Sequence, residues 1–164
     1  MDLLDLKILK ALQTSGRKKN SELARELGVA PSTMMERIRR LEESGVLLGY
    51  RASIDPKMLG LDIQAFISVT LSRHETETIR QFEESIRKIP HIRACYHLTG
   101  RFDYLLHVFV ADLDQLGKLV KKRIAALPGF GKSETFLVFS EIKSDNGLPV
   151  PEDLVAENSA TAPE

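Results

Sequence analysis

The chain has 164 residues, 23 Lys+Arg against 23 Asp+Glu, 43% hydrophobic content and one cysteine, Cys95. That length admits one medium domain or two small ones, and a lone cysteine excludes an internal disulfide framework. The apolar runs are too short to span a bilayer and no signal-peptide pattern is seen, so the expectation is a cytoplasmic protein with no membrane partner.

Zero net charge argues against a nucleic-acid partner, but the charge is unevenly spread. Residues 1–60 carry 11 Lys+Arg and 8 Asp+Glu, residues 61–143 carry 12 and 10, and residues 144–164 carry 5 acids and no base. A weakly basic N-terminal part can still bind phosphates if its bases gather on one face. The last stretch, rich in Pro, Ala, Ser and Glu, reads as an acidic, disordered tail.

The first helix opens at Asp2, a good N-cap, with Asp5 three residues on to complement the free amides. Leu4, Ile8 and Leu12, with Leu9 beside them, form one apolar stripe, and Gly16 ends it. Arg17-Lys18-Lys19 make a basic turn. A second helix follows Asn20 as its cap and buries Leu23, Ala24 and Leu27, and Gly28 suits its left-handed C-terminal position. A third begins at Pro31, pre-set for a helical φ, after Ala30, which has no capping side chain. It buries Met34, Ile38 and Leu41 and ends at Gly45. Two helices joined by a tight turn, the second carrying arginines beside a buried stripe, have the pattern of a helix-turn-helix that enters the DNA major groove.

On that third helix Ser32, Thr33, Met35 and Glu36 are expected to face outward near its N-terminal end, where base edges are read. Arg37, Arg39 and Arg40 are expected on phosphates, with Arg17, Lys18 and Lys19 as second contacts. Glu36 has a second reading, an ion pair with Arg40 four residues on. Val46 to Ile54 read as a short extended wing or linker, broken at Asp55-Pro56.

From residue 61 the period changes. Ile63, Ala65, Ile67, Val69 and Leu71 alternate with more polar positions, a strand. Ile79, Phe82, Ile86 and Ile89 have helical spacing, stopped by Pro90. Ile92 to Leu98 and Tyr104 to Val110 are strands around the turn Thr99-Gly100-Arg101-Phe102. Leu113, Leu116, Val120 and Ile124 mark another helix, closed by Pro128-Gly129, and Phe136 to Ile142 are expected to form the last strand. The order β-α-β-β-α-β is the split ferredoxin-like unit. The fold class is therefore α+β: an N-terminal winged helix-turn-helix domain over 1–50, a linker over 51–62, a ferredoxin-like sandwich over 63–143, and the tail 144–164.

Two helices cover only one face of a four-stranded sheet. Depending on register, the other would show Phe66, Val108 or its neighbours, and Val138 or Phe139. Open apolar area is costly, roughly 25 cal/mol per Å², and a second copy of the chain is the simplest cover. A homodimer is expected.

The segment MDLLDLKILKALQTSGRKKNSELARELGVAPSTMMERIRRLEESGVLLGYRASIDPKMLG and the later TGRFDYLLHVFVADLDQLGKLVKKRIAALPGF resemble the Lrp/AsnC (leucine-responsive, or feast/famine) family, over about residues 1–143. The resemblance implies a bacterial or archaeal transcription regulator, a homodimer assembling into tetramers or octamers, and a small amino-acid effector bound between dimers. It also implies an effector pocket built on Thr99, Gly100, Arg101, Phe102, Asp103 and Tyr104. Polar residues near the last strand, Ser133, Glu134 and Thr135, complete it. Read from chemistry alone, glycine lets a ligand approach the backbone, turn amides can hold a carboxylate, and Asp103 can accept from an ammonium. The plain alternative is a β-hairpin whose Asp103 bonds the local backbone. Two departures from the family pattern stand out: Arg101, where an acidic residue is common, and Ala30, where Ser is usual.

No cofactor is called for. Cys95 and His97 lie two apart on one strand with His107 on the next, but the spacing is not a zinc pattern. Cys95 as nucleophile with His97 as base would lack an orienting third group. Neither catalytic nor metal-ligating residues are expected. A second class of function stays open, an architectural DNA-compacting protein without an effector.

Overall fold

The computed structural model describes residues 1–150, which fall into two compact units. One unit runs from Met1 to Ser53 and takes in the chain again from Lys143; the other is Ile54–Ile142.

The first unit is the head. Helix α1 (Leu3–Thr14) opens with a capping box, in which the Asp2 and Asp5 carboxylates each accept the other's backbone N–H at 3.0 Å. Helix α2 spans Asn20–Leu27 and α3 spans Pro31–Glu43. Ile8, Leu12, Leu23, Ala24, Met34, Ile38 and Leu41 make one buried cluster. Gly28 ends α2 at φ 69°, a left-handed conformation that glycine adopts without a Cβ penalty. One expectation needs correction. Asn20 is the first helical residue rather than the cap, which is Lys19 and makes no side-chain bond. Of the two readings of residues 46–54, wing or linker, the absence of any strand there leaves the linker. The interaction of α3 with Ala30 is as expected: no side-chain cap, and Pro31 in the first turn.

After a 3-10 turn at Pro56–Leu59, the second unit builds β1 (Ile63–Leu71), α4 (Thr76–Ile86), β2 (Ile92–His97), β3 (Tyr104–Val110), α5 (Leu113–Lys118) and β4 (Phe130–Leu137). The sheet order is β2-β3-β1-β4, all antiparallel, the ferredoxin-like arrangement. On its helix-covered face Ala65, Ile67, Val69 and Leu71 meet Tyr104, Leu106, Val108 and Val110, with Phe82 and Ile86 from α4 above them. Leu116 is buried on α5, and Leu119 and Ile124 on a π-helical turn that continues it, Leu119–Ile124. Residues five apart share a face in a π-helix but not in an α-helix, which is why Leu119 is buried with Ile124 while the expected Val120 is only half-buried; Leu113, at the start of α5, is exposed.

The last strand lies earlier than its apolar residues indicate. Phe130–Leu137 pairs with β1, whereas Phe139 is 100% exposed. An edge strand with one open face needs few apolar residues, so the run Phe136 to Ile142 is the wrong place to look. Gly131 fixes the start: a Cβ there would stand 2.7 Å from the Thr70 carbonyl, at the point where the pairing shifts register.

The uncovered face carries Phe66, opposite both His107 and Phe136, with Phe109 alongside. Val108 points instead into the core. The Phe66 and His107 rings stack at 4.6 Å, and Arg93 lies 5.8 Å over Phe109. His107 Nε2 sits 2.7 Å from the Gln64 amide nitrogen, so this nitrogen accepts and the ring is neutral. Its surroundings agree: burial first, then the Arg93 charge, lower the His107 pKa.

No helix among the described residues is long and apolar enough to cross a membrane. Of the expected acidic tail, Gly147 and Leu148 lie against Gln13 of α1, and residues 151–164 lie outside the described residues.

The core assignment is testable at Phe82, fully buried between α4 and the sheet. Phe82→Ala is expected to cost about 3–5 kcal/mol of unfolding free energy in urea. A loss below ~1 kcal/mol would show that this ring is not the centre of the second unit's core.

Candidate DNA-reading helix and effector pocket

Helix α3 is presented by one buried stripe and one ionic knot. Asp5, 1% exposed, receives hydrogen bonds from Arg37 Nη1 at 2.8 Å and from Arg40 Nη2 at 3.2–3.3 Å. The same Arg37 nitrogen donates to Asp2 at 2.6 Å. That hydrogen bond, followed by the Asp5 backbone N–H, holds the Asp2 carboxyl below its ordinary range. Arg37 is therefore not a free phosphate contact: it ties the first turn of α1 to the middle of α3. Sequence spacing cannot reveal this, because Asp2 and Arg37 are far apart in the chain.

The remaining outward positions of α3 face solvent, Arg40 doing so while it keeps its bonds to Asp5. Ser32, Thr33, Met35, Arg39 and Arg40 are exposed, Met35 by 62%. Glu36 bonds Arg39 at 2.6 Å rather than Arg40, and Arg39 also holds Glu43 at 2.5 Å. These bonds raise the Arg39 pKa further, so its charge is permanent. In the basic turn Lys18 pairs with Glu26, while Arg17 and Lys19 are exposed.

In the second unit a cavity of about 70 Å³ gathers four of the expected effector residues, Arg101, Phe102, Ser133 and Glu134. Ser68, Thr70 and Lys132 complete its lining. These three were missed, although the polar alternation of β1 placed Ser68 and Thr70 on one face. Thr135 pairs with Ile67 on the helix-covered face and lies outside the cavity, as do Thr99 and Gly100.

Asp103 and Tyr104 have other tasks. Asp103 Oδ2 accepts the Leu71 N–H at 2.7 Å and Oδ1 lies 3.0 Å from His74 Nε2. Burial pushes its pKa up, but these partners prevail and hold it below the usual value. Neither the ligand role nor a bond to the hairpin's own backbone accounts for this carboxylate: its backbone partner lies on β1. Tyr104 is 1% exposed, and its hydroxyl donates to Glu83 at 3.0 Å. Burial and Glu83 raise its pKa, so the hydroxyl keeps its proton. The turn itself is held by Gly100 at φ 141° and by the Leu98 N–H to Asp103 carbonyl bond of 2.8 Å.

Cys95 and His97 face the helices, His97 stacked on Tyr104 at 4.6 Å, while His107 lies on the opposite face. The three cannot converge on one ion. Crowding around the sulfur, then the Glu83 charge, push the Cys95 thiol up to about 11, the opposite of what a nucleophile needs.

Residues 64–148 match the Lrp/AsnC ligand binding domain, and residues 1–47 match a winged helix-turn-helix DNA-binding domain. The chain is 35% identical over 150 residues to the leucine-responsive regulatory protein of Escherichia coli (strain K12), covering 92% of each. The Haemophilus influenzae protein of that name is 35% identical over 148 residues, covering 90% of this chain and 89% of its own. Among solved structures, a Neisseria meningitidis transcriptional regulator in complex with L-Met aligns with a TM-score of 0.87 at 34% identity, covering 91% and 96%. E. coli AsnC aligns at 0.80 and 25% identity, covering 90% and 99%.

Arg37→Ala is expected to destabilise the head by about 1–3 kcal/mol at pH 7, because Asp5 stays buried with only the longer Arg40 bonds. The sign with pH follows from Asp2, whose folded pKa is depressed. Its contribution is present above about pH 4, the unfolded value, and is lost as pH falls through the folded one. The gap between wild type and variant should narrow below about pH 4. An unchanged urea midpoint at pH 7 would refute the structural role of Arg37.

Proposed function

This chain belongs to the Lrp/AsnC family of transcriptional regulators, and from that premise we propose that Ser32, Thr33 and Met35 read operator bases while Arg39, Arg40, Arg17 and Lys19 hold phosphates. The protein is a transcriptional regulator, not an enzyme, with a DNA-binding head and a ligand-binding domain. The observation that carries the residue assignment is the division of α3. Met34, Ile38 and Leu41 are buried, whereas its N-terminal turn is exposed, as a helix that enters the major groove requires. Hydroxyls at Ser32 and Thr33 can bond base edges and Met35 can pack on a thymine methyl. On binding, Arg39 trades Glu36 and Glu43 for phosphate.

The effector is a small amino acid, held where Arg101 and Lys132 oppose Glu134. Two cations suit the carboxylate, Glu134 suits the ammonium, and the Ser68 and Thr70 hydroxyls can serve either, whereas Ser133 pairs with Val69 of the helix-covered face. Asp103 is not the ammonium acceptor, because both its oxygens are engaged. A cavity of about 70 Å³ is well below the roughly 300–1,000 Å³ of formed ligand pockets, so a neighbouring copy of the chain completes it. The protein works as a homodimer, formed over the Phe66, Phe109 and Phe136 face, that assembles further into tetramers or octamers.

Arg40→Ala should weaken binding to all DNA sequences and lower the salt slope by about 1. Relaxed preference at a single base pair, with unchanged salt slope in a binding titration, would overturn that role. Phe66→Glu should yield a smaller species by light scattering, and an unaltered mass would exclude this face as the dimer seam. In a thermal-shift panel of the twenty amino acids, at least one should raise the melting temperature of wild type and lose that effect in Arg101→Ala. No stabilisation by any of them would count against a free amino-acid effector.

A further inference from the structure

The head contains a groove that the DNA-reading assignment does not use, and the chain itself lies in it. A cavity of about 490 Å³ runs between α1, at Leu9 and Leu12, with Gly16 just beyond its end, and the segment that follows α3, from Val46 to Arg51. Leu148, Pro149 and Val150 line its remaining side. The chain thus leaves the head at Ser53, forms the whole second unit, and rejoins the head at Lys143.

Its attachment is a main-chain clamp. The Gln13 side-chain amide donates to the Leu148 carbonyl at 3.1 Å, and its oxygen accepts the Leu148 N–H at 2.5 Å. One primary amide thereby satisfies both polar groups of one residue, as a neighbouring β-strand would. The Leu148 side chain is 80% exposed, so backbone recognition rather than that side chain holds the segment. Gly147 makes the approach possible. It has φ 97°, and a Cβ there would lie 2.3 Å from Gln13 Oε1 and 2.8 Å from Gln13 Cδ. Room for a larger residue arises only if Gln13 swings away, which breaks the clamp. The Asp145 carboxylate accepts the Gly147 N–H at 3.0 Å and turns the chain into position. Pro149 then pre-sets an extended backbone and has no N–H to leave unpaired.

We propose that residues 147–150 are a strap, latched onto α1 by Gln13, that stiffens the root of the linker at Leu47 to Arg51 and so couples the ligand-binding unit to the DNA-binding head. The two covalent crossings between the units, after Ser53 and before Lys143, lead into one groove. With the strap seated, the linker root, the strap and α1 wall one groove. With the strap released, the root loses one wall of its groove and the head swivels more freely. Two heads on one DNA then tolerate a wider range of half-site spacings. This coupling rests on the DNA-binding and effector reading above; the latch itself does not.

The test compares the full-length wild type with Gln13→Ala and Gly147→Val by amide hydrogen exchange and DNA titration. Both variants should exchange the Leu148 amide, and amides of residues 47–51, about tenfold faster or more than wild type. Gln13→Glu, which keeps the acceptor for the Leu148 N–H and loses the donor to its carbonyl, should fall between. Affinity for a single half-site should be unchanged, because α3 is untouched, while the spacing preference on paired half-sites should flatten. An unprotected Leu148 amide in wild type overturns the latch. Variants that speed exchange at Leu148 but leave residues 47–51 and spacing preference unchanged overturn the coupling. A wild type that binds no DNA overturns the reading under Proposed function, while exchange still decides the latch.

Discussion

Everything in the second unit follows from one shortage: two helices for a four-stranded sheet. Helix α4 and the α5 segment bury Ala65, Ile67, Val69, Leu71 and the facing positions of β3. On the other side Phe66, His107, Phe109 and Phe136 remain at the surface of a single chain. Each apolar ring left in water costs free energy in proportion to its area. In the homodimer proposed above, a second copy removes that cost with the same face, as a two-fold axis requires. A neutral His107, bonded to Gln64 and stacked on Phe66, keeps charge out of this surface.

In the head the comparable constraint is the buried Asp5 carboxylate. A carboxylate removed from water must be met by cations and donors. Arg37 and Arg40 supply them from α3, and the Asp2 N–H and carboxylate close the arrangement around it. The consequence is geometric. With Arg37 turned inward, α3 is locked to α1 by charge as well as by Met34, Ile38 and Leu41. Its outward residues are then held on a rigid element, which favours specific contact over adaptable contact.

The Arg101 cavity shows how alternation divides a plausible list of pocket residues. Ser133, Glu134 and Thr135 are consecutive on a strand, so their side chains cannot all face one ligand. Pairing with β1 puts Thr135 opposite Ile67 and Glu134 opposite Ser68. The hairpin divides likewise: Arg101 and Phe102 reach the cavity, while Asp103 turns to Leu71 and His74, and Tyr104 drops into the core.

The sequence by itself determined the elements and their order. The helix stripes, the caps at Asp2 and Gly28, the Pro31 start and the alternation of β1 are encoded within a few neighbouring residues, where local sterics and periodicity act. The family resemblance was legible for the same reason, in two continuous stretches. Only the tertiary structure decided the rest. The place of β4 depended on its pairing with β1 rather than on its own apolar content. The inward turn of Arg37 depended on a carboxylate on another helix. The return of residues 147–150 to the head depended on Gln13, at the opposite end of the chain. These are contacts between groups distant in sequence, and no local period records them.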